Sequence, residues 1–271
     1  MPELPEVETI RCGLEPHVVG RKIVDVILRN RSLRWPVHAE LAAMVRGRVI
    51  QSVERRAKYL LLRCDSGSII LHLGMSGRLR ILPAGTAAGK HDHADIIFDS
   101  GACLRFCDPR RFGALLWSAG EPLQHPLLFV SGPEPLSAVF SGDYLYERSR
   151  GRKISIKQFI MDHKVVSGVG NIYASEALFL AGINPLTAAG KISRPRCRHL
   201  AAAIKKTLRS AIAAGGTTLR DFHGASGDPG YFQRRLRVYG RSGEPCYVCG
   251  RRVRSQRSGQ RSTFYCPQCQ R

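Results

Sequence analysis

The sequence predicts an α+β multidomain protein: one helix followed by a β-rich N-terminal part, then a helical part, then a small metal-bound module. Three observations carry this prediction. Short β-branched runs alternate with turns from about residue 22 to 118. Helical periodicity takes over after a proline- and glycine-rich stretch from about 119 to 136. Four of the nine cysteines stand in two close pairs near the C-terminus. A chain of 271 residues is long enough for two domains with cores of their own. The expected division is 1–130, 131–240 and 241–271.

The first element is a helix over 5–19. Pro5 suits the first helical turn, Val7, Ile10, Leu14 and Val18 recur at three or four, and Gly20 ends the run. Pro16 weakens the last turn. Strands follow at 22–28, 49–53, 59–63, 68–73, 96–98 and 103–106. The Asp65-Ser66-Gly67 and Asp99-Ser100-Gly101 steps each sit between strand-like runs and read as hairpin connections. Many short strands with tight turns fit a sandwich or a barrel. Gly132-Pro133-Glu134-Pro135 marks the boundary to the helical part. There, Ser193 is the expected N-cap of a helix whose apolar stripe is Cys197, Leu200, Ile204, Leu208 and Ile212, stopped at Gly215-Gly216. Lys205, Lys206 and Arg209 fall off that stripe and read as a solvated face.

Cys246-Tyr-Val-Cys249 and Cys266-Pro-Gln-Cys269 are separated by 16 residues, within the spacing range of a structural zinc site. A two-residue gap lets a tight turn aim both thiolates at one ion, and four thiolates close a tetrahedron around one structural Zn2+. So small a module cannot build a core, so the metal is expected to supply its folding energy. The five scattered cysteines, Cys12, Cys64, Cys103, Cys107 and Cys197, lack ligand spacing and read as small buried hydrophobes.

The formal net charge is +21, from 42 basic and 21 acidic residues. Such a field attracts polyanions, nucleic acid foremost. From 241 to 271 the chain carries seven arginines against the single acid Glu244, a balance suited to a phosphate backbone. No apolar run reaches the roughly 18 residues a membrane span needs. The N-terminus lacks the basic and apolar regions of a secretory signal, so the expected compartment is the cytoplasm.

Pro2 follows the initiator methionine, whose removal exposes a secondary amine. An α-amino group has a pKa of about 8, far below that of lysine, and serves as a nucleophile for an iminium intermediate. Glu3 beside it is a candidate general acid. The wider string carries more. Met1-Pro-Glu-Leu-Pro-Glu-Val-Glu-Thr-Ile10 closely resembles the start of bacterial formamidopyrimidine-DNA glycosylases, which remove 8-oxoguanine and ring-opened purines. Arg56-Ala-Lys58-Tyr-Leu60, His72-Leu-Gly-Met-Ser-Gly77, Lys90-His-Asp-His93 and Asp108-Pro-Arg-Arg-Phe-Gly113 look like that family too. So do Gly168-Val-Gly-Asn-Ile-Tyr-Ala-Ser-Glu176, Gly215-Gly-Thr-Thr-Leu219, Gly230-Tyr-Phe232 and Gln260-Arg-Ser-Thr-Phe-Tyr-Cys266.

The resemblance implies an N-terminal β-sandwich, a helical domain with a helix–two-turn–helix element at 156–162 and 171–180, and a C-terminal zinc-finger hairpin. It implies a bifunctional glycosylase and abasic-site lyase acting on damaged double-stranded DNA. Pro2 is then the nucleophile, Glu3 the acid that protonates the opening sugar, Lys58 the donor for β-elimination, and Arg261 the residue for δ-elimination. Met75, Arg110 and Phe112 form the wedge that replaces the extruded base, although by residue type alone Met75 and Phe112 belong in a core. His91, Arg110, Arg152 and Asn171 hold DNA, and Glu6 lies close enough to tune the amine. The chain departs from the family at Asp228 in Ser226-Gly-Asp-Pro-Gly230, where a lysine is frequent. One molecule on one lesion needs no second copy, so the expectation is a monomer without an obligate protein partner at the bacterial nucleoid. Two alternatives stay open: the sister group similar to endonuclease VIII, which prefers oxidised pyrimidines, and an inactive zinc-ribbon protein that binds damaged nucleic acid. Leu4 speaks against the first, and Pro2, Glu3 and Lys58 together against the second.

Overall fold

In the computed structural model, residues 2–216 and 236–271 are described. Met1 and the segment holding Asp228, Gly230-Tyr-Phe232 and the 217–219 end of the Gly215 motif lie outside the described residues. The described residues fall into two compact units, 2–129 with 214–216, and 130–213 with 236–271.

The first unit begins with α1 (Leu4–Val18), whose inward stripe Val7, Ile10, Leu14 and Val18 is fully buried. The helix runs through Pro16 to its end, so the doubted last turn is present; proline there costs one backbone bond but no buried donor. Next come β1 (Ile23–Leu28), the short α2 (Leu41–Val45), β2 (Ser52–Arg56), β3 (Tyr59–Cys64) and β4 (Gly67–His72). These are followed by β5 (Arg78–Pro83), β6 (Asp92–Phe98), β7 (Ala102–Cys107), β8 (Ala114–Ala119) and a short α3 (Pro126–Phe129). The strands form two four-stranded antiparallel sheets, ordered β1-β6-β7-β5 and β2-β3-β4-β8. One apolar cluster joins them: Ile23, Ile96 and Leu104 of the first sheet, Leu60, Leu62, Ile69 and Leu71 of the second, and the stripe of α1. That is a sandwich, resolving the choice left by strand counting.

The Asp65 and Asp99 steps do turn between β3 and β4 and between β6 and β7. The strand expected at 49–53 is displaced. Val49 makes only an isolated bridge with Lys22, and β2 starts at Ser52, because its partner register runs from Ser52↔Arg63 to Arg56↔Tyr59. Strands β5 and β8 and helix α2 had no counterpart in the sequence reading. Of the scattered cysteines, Cys64, Cys103 and Cys197 are buried as expected, but Cys12 is exposed and Cys107 half-buried. Cys12 faces outward because it falls off the α1 stripe.

The second unit holds α4 (Gly142–Ser149), α5 (Ile156–Met161), α6 (Asn171–Leu180), α7 (Arg194–Ala213) and the hairpin of β9 (Arg254–Ser258) with β10 (Arg261–Tyr265). Ser141 and Ser155 cap α4 and α5 through their hydroxyls. Cys197, Leu200, Ile204 and Leu208 are buried on α7, and Ile212 is half-buried. The module at 246–269 packs onto α6 through Phe179, Val238 and Val253. Glu176 of α6 accepts the backbone N–H groups of Arg237, Val238 and Tyr239 and so holds the strand of chain entering the module.

The outer face of the first sheet carries a buried ion-pair network. Arg105, 1% exposed, donates twice to Asp95 at 2.8 Å and once to each of the Thr86 and Ala87 carbonyls. Arg29 also reaches Asp95, and Arg80 reaches Asp92. Removing one member of a buried pair leaves the other charged and dry. Replacing Arg105 by Met should therefore lower unfolding stability by about 3–5 kcal/mol, read by urea titration; a loss below about 1 kcal/mol would mean the pair behaves as a surface bridge.

Candidate active site and metal centre

Pro2 and Glu3 are buried at the start of α1. Glu3 is the N-cap; its own N–H donates to Glu6 Oε2 at 2.9 Å, and its carboxyl accepts the Glu6 N–H, which closes a capping box. Glu6, expected to tune the amine, is thus engaged in capping. The box fixes the backbone immediately after residue 2 and places a carboxyl-bearing residue next to it in sequence.

Lys58 sits in the two-residue turn Ala57-Lys58 joining β2 and β3, with Arg56 and Tyr59 as the closing pair. Ala57 adopts a φ of +54°, a left-handed conformation that only surrounding contacts can hold in a non-glycine residue. Arg55 supplies them. Its Nη1 donates to the Ala57 carbonyl at 3.0 Å, and its Nε donates to Glu8 of α1 at 2.7 Å. Glu8 in turn pairs with Arg11. The turn bearing Lys58 is therefore tied to the same helix that begins at Glu3. Behind it, the His72 ring lies 4.6 Å from that of Tyr59. Burial, helped by the positive charges of Lys58 and Arg34, pulls the His72 pKa down to about 4. Its Nδ1 accepts the Gly74 N–H at 3.0 Å, which requires the unprotonated nitrogen.

Three loops of the same unit carry the expected DNA contacts. His91, Arg110 and Arg111 are exposed. Met75 and Phe112 are 40% and 42% exposed, so these large apolar side chains are not core residues. The Arg110 guanidinium lies 4.9 Å from the Phe112 ring centroid, a cation–π distance. An exposed Met, Phe and Arg beside one another can fill a vacated base stack and offer donors to an unpaired base.

The other expected residues belong to the second unit. Asn171 is the first residue of α6; its Oδ1 is buried with no hydrogen-bond partner among the described residues. Arg152 is exposed in the segment between α4 and α5. Arg261, also exposed, opens β10 opposite Ser258 at the hairpin tip. Sequence reading missed Lys157 of α5. It is 2% exposed, and its ammonium donates to the Ser262 carbonyl and the Thr263 hydroxyl, both at 2.9 Å, anchoring the strand that presents Arg261. A lysine on the buried face of α5 was the available signal.

The sulfurs of Cys246, Cys249, Cys266 and Cys269 all lie within 4.8 Å of one another. Cys246 and Cys269 are 3.9 Å apart and Cys249 and Cys266 3.5 Å. A tetrahedral ion with Zn–S bonds of about 2.3 Å sets its sulfurs about 3.8 Å apart, so the donor set fits zinc. Burial and the three neighbouring thiols push the Cys269 pKa upward. The bound ion would be structural, because all four positions are protein ligands.

Comparison with known proteins covers the whole chain. Residues 1–115 match the model of the formamidopyrimidine-DNA glycosylase N-terminal domain, 131–223 that of the same family's H2TH domain, and 243–271 a zinc finger found in FPG and IleRS. The chain is 59% identical over 271 residues to the formamidopyrimidine-DNA glycosylase of Idiomarina loihiensis, with each chain fully covered. It is 37% identical to the solved MutM (FPG) of Thermus thermophilus, with a TM-score of 0.89 and coverage of 99% and 98%. It is 32% identical to Lactococcus lactis Fpg solved with DNA containing an abasic site, with a TM-score of 0.92 and full coverage of both chains.

Extracting the zinc with a thiol-reactive mercurial plus chelator should release one ion per chain and weaken binding to duplex DNA, because the hairpin depends on the metal. Metal content and a titration with labelled duplex check this; unchanged affinity in the zinc-free protein would contradict it. His72 gives a pH prediction. Its folded pKa lies below the unfolded value of about 6.5. Its contribution to stability is therefore present above about pH 6.5 and lost as the pH falls towards about 4. Between those values the wild type should lose more stability in urea than His72→Gln, and parallel losses would refute the assignment.

Proposed function

The chain belongs to the formamidopyrimidine-DNA glycosylase family, and from that premise we propose that it excises oxidised purines from duplex DNA and then cleaves the strand. The substrate class is 8-oxoguanine and formamidopyrimidines, and the partner is damaged double-stranded DNA. Among the described residues no helix is long and apolar enough to cross a membrane. The reading places the enzyme at the bacterial nucleoid in base excision repair, with a working division of the chain at 1–130, 131–240 and 241–271.

The observation that carries this reading is the buried start of α1, where an N-terminal proline, if Met1 is removed, adjoins a capping glutamate and the Lys58 turn is tied to the same helix. The target base must leave the stack before any side chain reaches it. Met75 and Phe112 enter the gap, and Arg110 holds the estranged base. The Pro2 nitrogen attacks C1′ and the C1′–N bond to the base breaks, the base leaving with the proton that the amine gives up. Glu3 protonates the ring oxygen, and the C1′–O4′ bond opens to the iminium. The resulting iminium acidifies the C2′ proton. Loss of that proton to water breaks the C3′–O bond and expels the 3′ phosphate, to which Lys58 donates a proton. A second elimination breaks the C5′–O bond and expels the 5′ phosphate, and water then hydrolyses the imine and frees Pro2. Arg261, always charged, stabilises the departing phosphate rather than giving up a proton. His91, Arg152 and Asn171 hold backbone phosphates, which sets register without reading sequence. Zinc supplies no chemistry to these steps; the four cysteines would hold it to shape the hairpin.

The test is a duplex with one 8-oxoguanine opposite cytosine, end-labelled and resolved on a gel. The wild type should leave a one-nucleoside gap bounded by two phosphates. Glu3→Gln should slow base excision by about 10²- to 10⁴-fold, the usual worth of a general acid, yet still cleave a preformed abasic site. Faster release of thymine glycol than of 8-oxoguanine would instead favour the pyrimidine-directed sister group.

A further inference from the structure

Asp108 is fully buried, and one carboxylate serves two separate loops. Its Oδ1 accepts the Ser76 hydroxyl at 2.6 Å and the Arg110 N–H at 3.3 Å. The same Ser76 Oγ accepts the Arg110 N–H at 3.1 Å, so the hydroxyl relays between the two. Oδ2 accepts the Gly113 N–H at 2.8 Å, and the Asp108 carbonyl takes the Arg111 N–H at 3.1 Å. The loop from Asp108 to Gly113 is thereby wound around its own first side chain. That winding forces Arg111 to a φ of +58°, a conformation a non-glycine residue keeps only when over-determined.

The loop at 73–77 is bound to the same anchor. Its turn closes through the Gly77 N–H on the Leu73 carbonyl, and the Gly74 N–H rests on His72 Nδ1. Gly74 is required there: its φ is +58°, and a β-carbon would collide with the carbonyl of Phe112. The third loop is attached as well. The Asp108 N–H donates to the His91 carbonyl at 3.0 Å, and His93 Nε2 lies 2.7 Å from the Asp108 carbonyl oxygen. Met75, His91, Arg110 and Phe112 are all exposed, and all stand within two residues of a backbone group or hydroxyl tied to Asp108.

We propose that Asp108 is the positioning residue of the wedge: through Ser76 and the Gly113 N–H its carboxylate holds Met75 and the Arg110–Phe112 pair in one preformed arrangement. This rests on the wedge assignment made under the proposed function. A preformed wedge loses no loop entropy at the moment of insertion, so base extrusion gains and the later eliminations gain little. Asp108 itself touches no reacting atom in this account.

The experiment compares Asp108→Ala, Asp108→Asn, Ser76→Ala and Met75→Ala in the full-length, zinc-loaded protein. Two rates are measured in single turnover: release of 8-oxoguanine from a duplex, and strand cleavage at a preformed abasic site, which has no base to unstack. Fluorescence of 2-aminopurine beside the lesion reports insertion directly. Misplacement by about 1 Å can cost on the order of 100-fold, so Asp108→Ala should lose base release at least about 10-fold more than abasic cleavage. It should also slow the fluorescence phase as Met75→Ala does. Asp108→Asn should recover part of the loss, since its amide oxygen can take the Gly113 N–H while its NH2 donates to Ser76. If Asp108→Ala does not fold, Ser76→Ala and Asp108→Asn carry the comparison. Selective loss in Met75→Ala but equal or no loss in the Asp108 and Ser76 variants overturns the proposal and leaves the wedge standing. No selective loss in Met75→Ala overturns the wedge, and the proposal with it.

Discussion

Glu6 Oε2 lies 2.9 Å from the backbone nitrogen of Glu3, and that reciprocal cap decides where residue 2 can be. A chain terminus is normally the loosest part of a fold. Here the first turn is instead buried, with Leu4 and Val7 in the core and the peptide donors at the helix start satisfied by two glutamates. An amine used as a nucleophile must be held within a fraction of an ångström of its target. In the proposed function the cap serves this end, because the Glu3 and Glu6 carboxylates fix the backbone that follows residue 2. The Arg55 bridge from Glu8 to the Ala57 carbonyl extends the same constraint to the turn bearing Lys58.

The first unit uses buried charge repeatedly for the same purpose. Arg105 with Asp95 and Asp92 secures the 84–91 loop through the Thr86 and Ala87 carbonyls, and Asp108 secures the loops on either side of β5 to β7. Each network is costly if half removed and each sits under an exposed loop that carries a residue of the proposed DNA contacts. The rigid part is polar and dry; the presented part is basic or apolar and wet. In the second unit Lys157 under β10 and Glu176 behind the cysteine module repeat the pattern with single side chains.

What the sequence reveals follows from how local each feature is. The cysteine spacing, the α7 stripe and the Asp65 and Asp99 turns depend on neighbours in the chain, and the fold contains them. Asn171 opens α6 where the glycines before it end. The turn at Ala57-Lys58 lacks Gly, Asn or Asp and is held by Arg55, so nothing local marks it, and β2 begins three residues beyond the start of the β-branched run at Val49. Strand β8 puts Leu115 into the sandwich core and Leu116 into a second apolar cluster with Leu61, Ile70 and Leu128, so it shows no alternation. In β5 the alternation exists, but its outward Arg80 is explained only by Asp92, on a strand not yet formed in any sequence window. Met75 and Phe112 invert the usual rule: their apolarity argues for a core, and only the loop geometry set by Asp108 turns them outward. The catalytic roles themselves came from resemblance, since proline followed by glutamate begins many unrelated chains.

The central claim is that the N-terminal amine is the nucleophile, and borohydride trapping tests it most directly. Protein whose mass confirms loss of Met1 is mixed with an 8-oxoguanine duplex and reduced, and the cross-linked peptide is sequenced by mass spectrometry. The account predicts a stable DNA adduct on Pro2 that disappears in Pro2→Gly. An adduct on Lys58, or none at all while duplex binding persists, would contradict it.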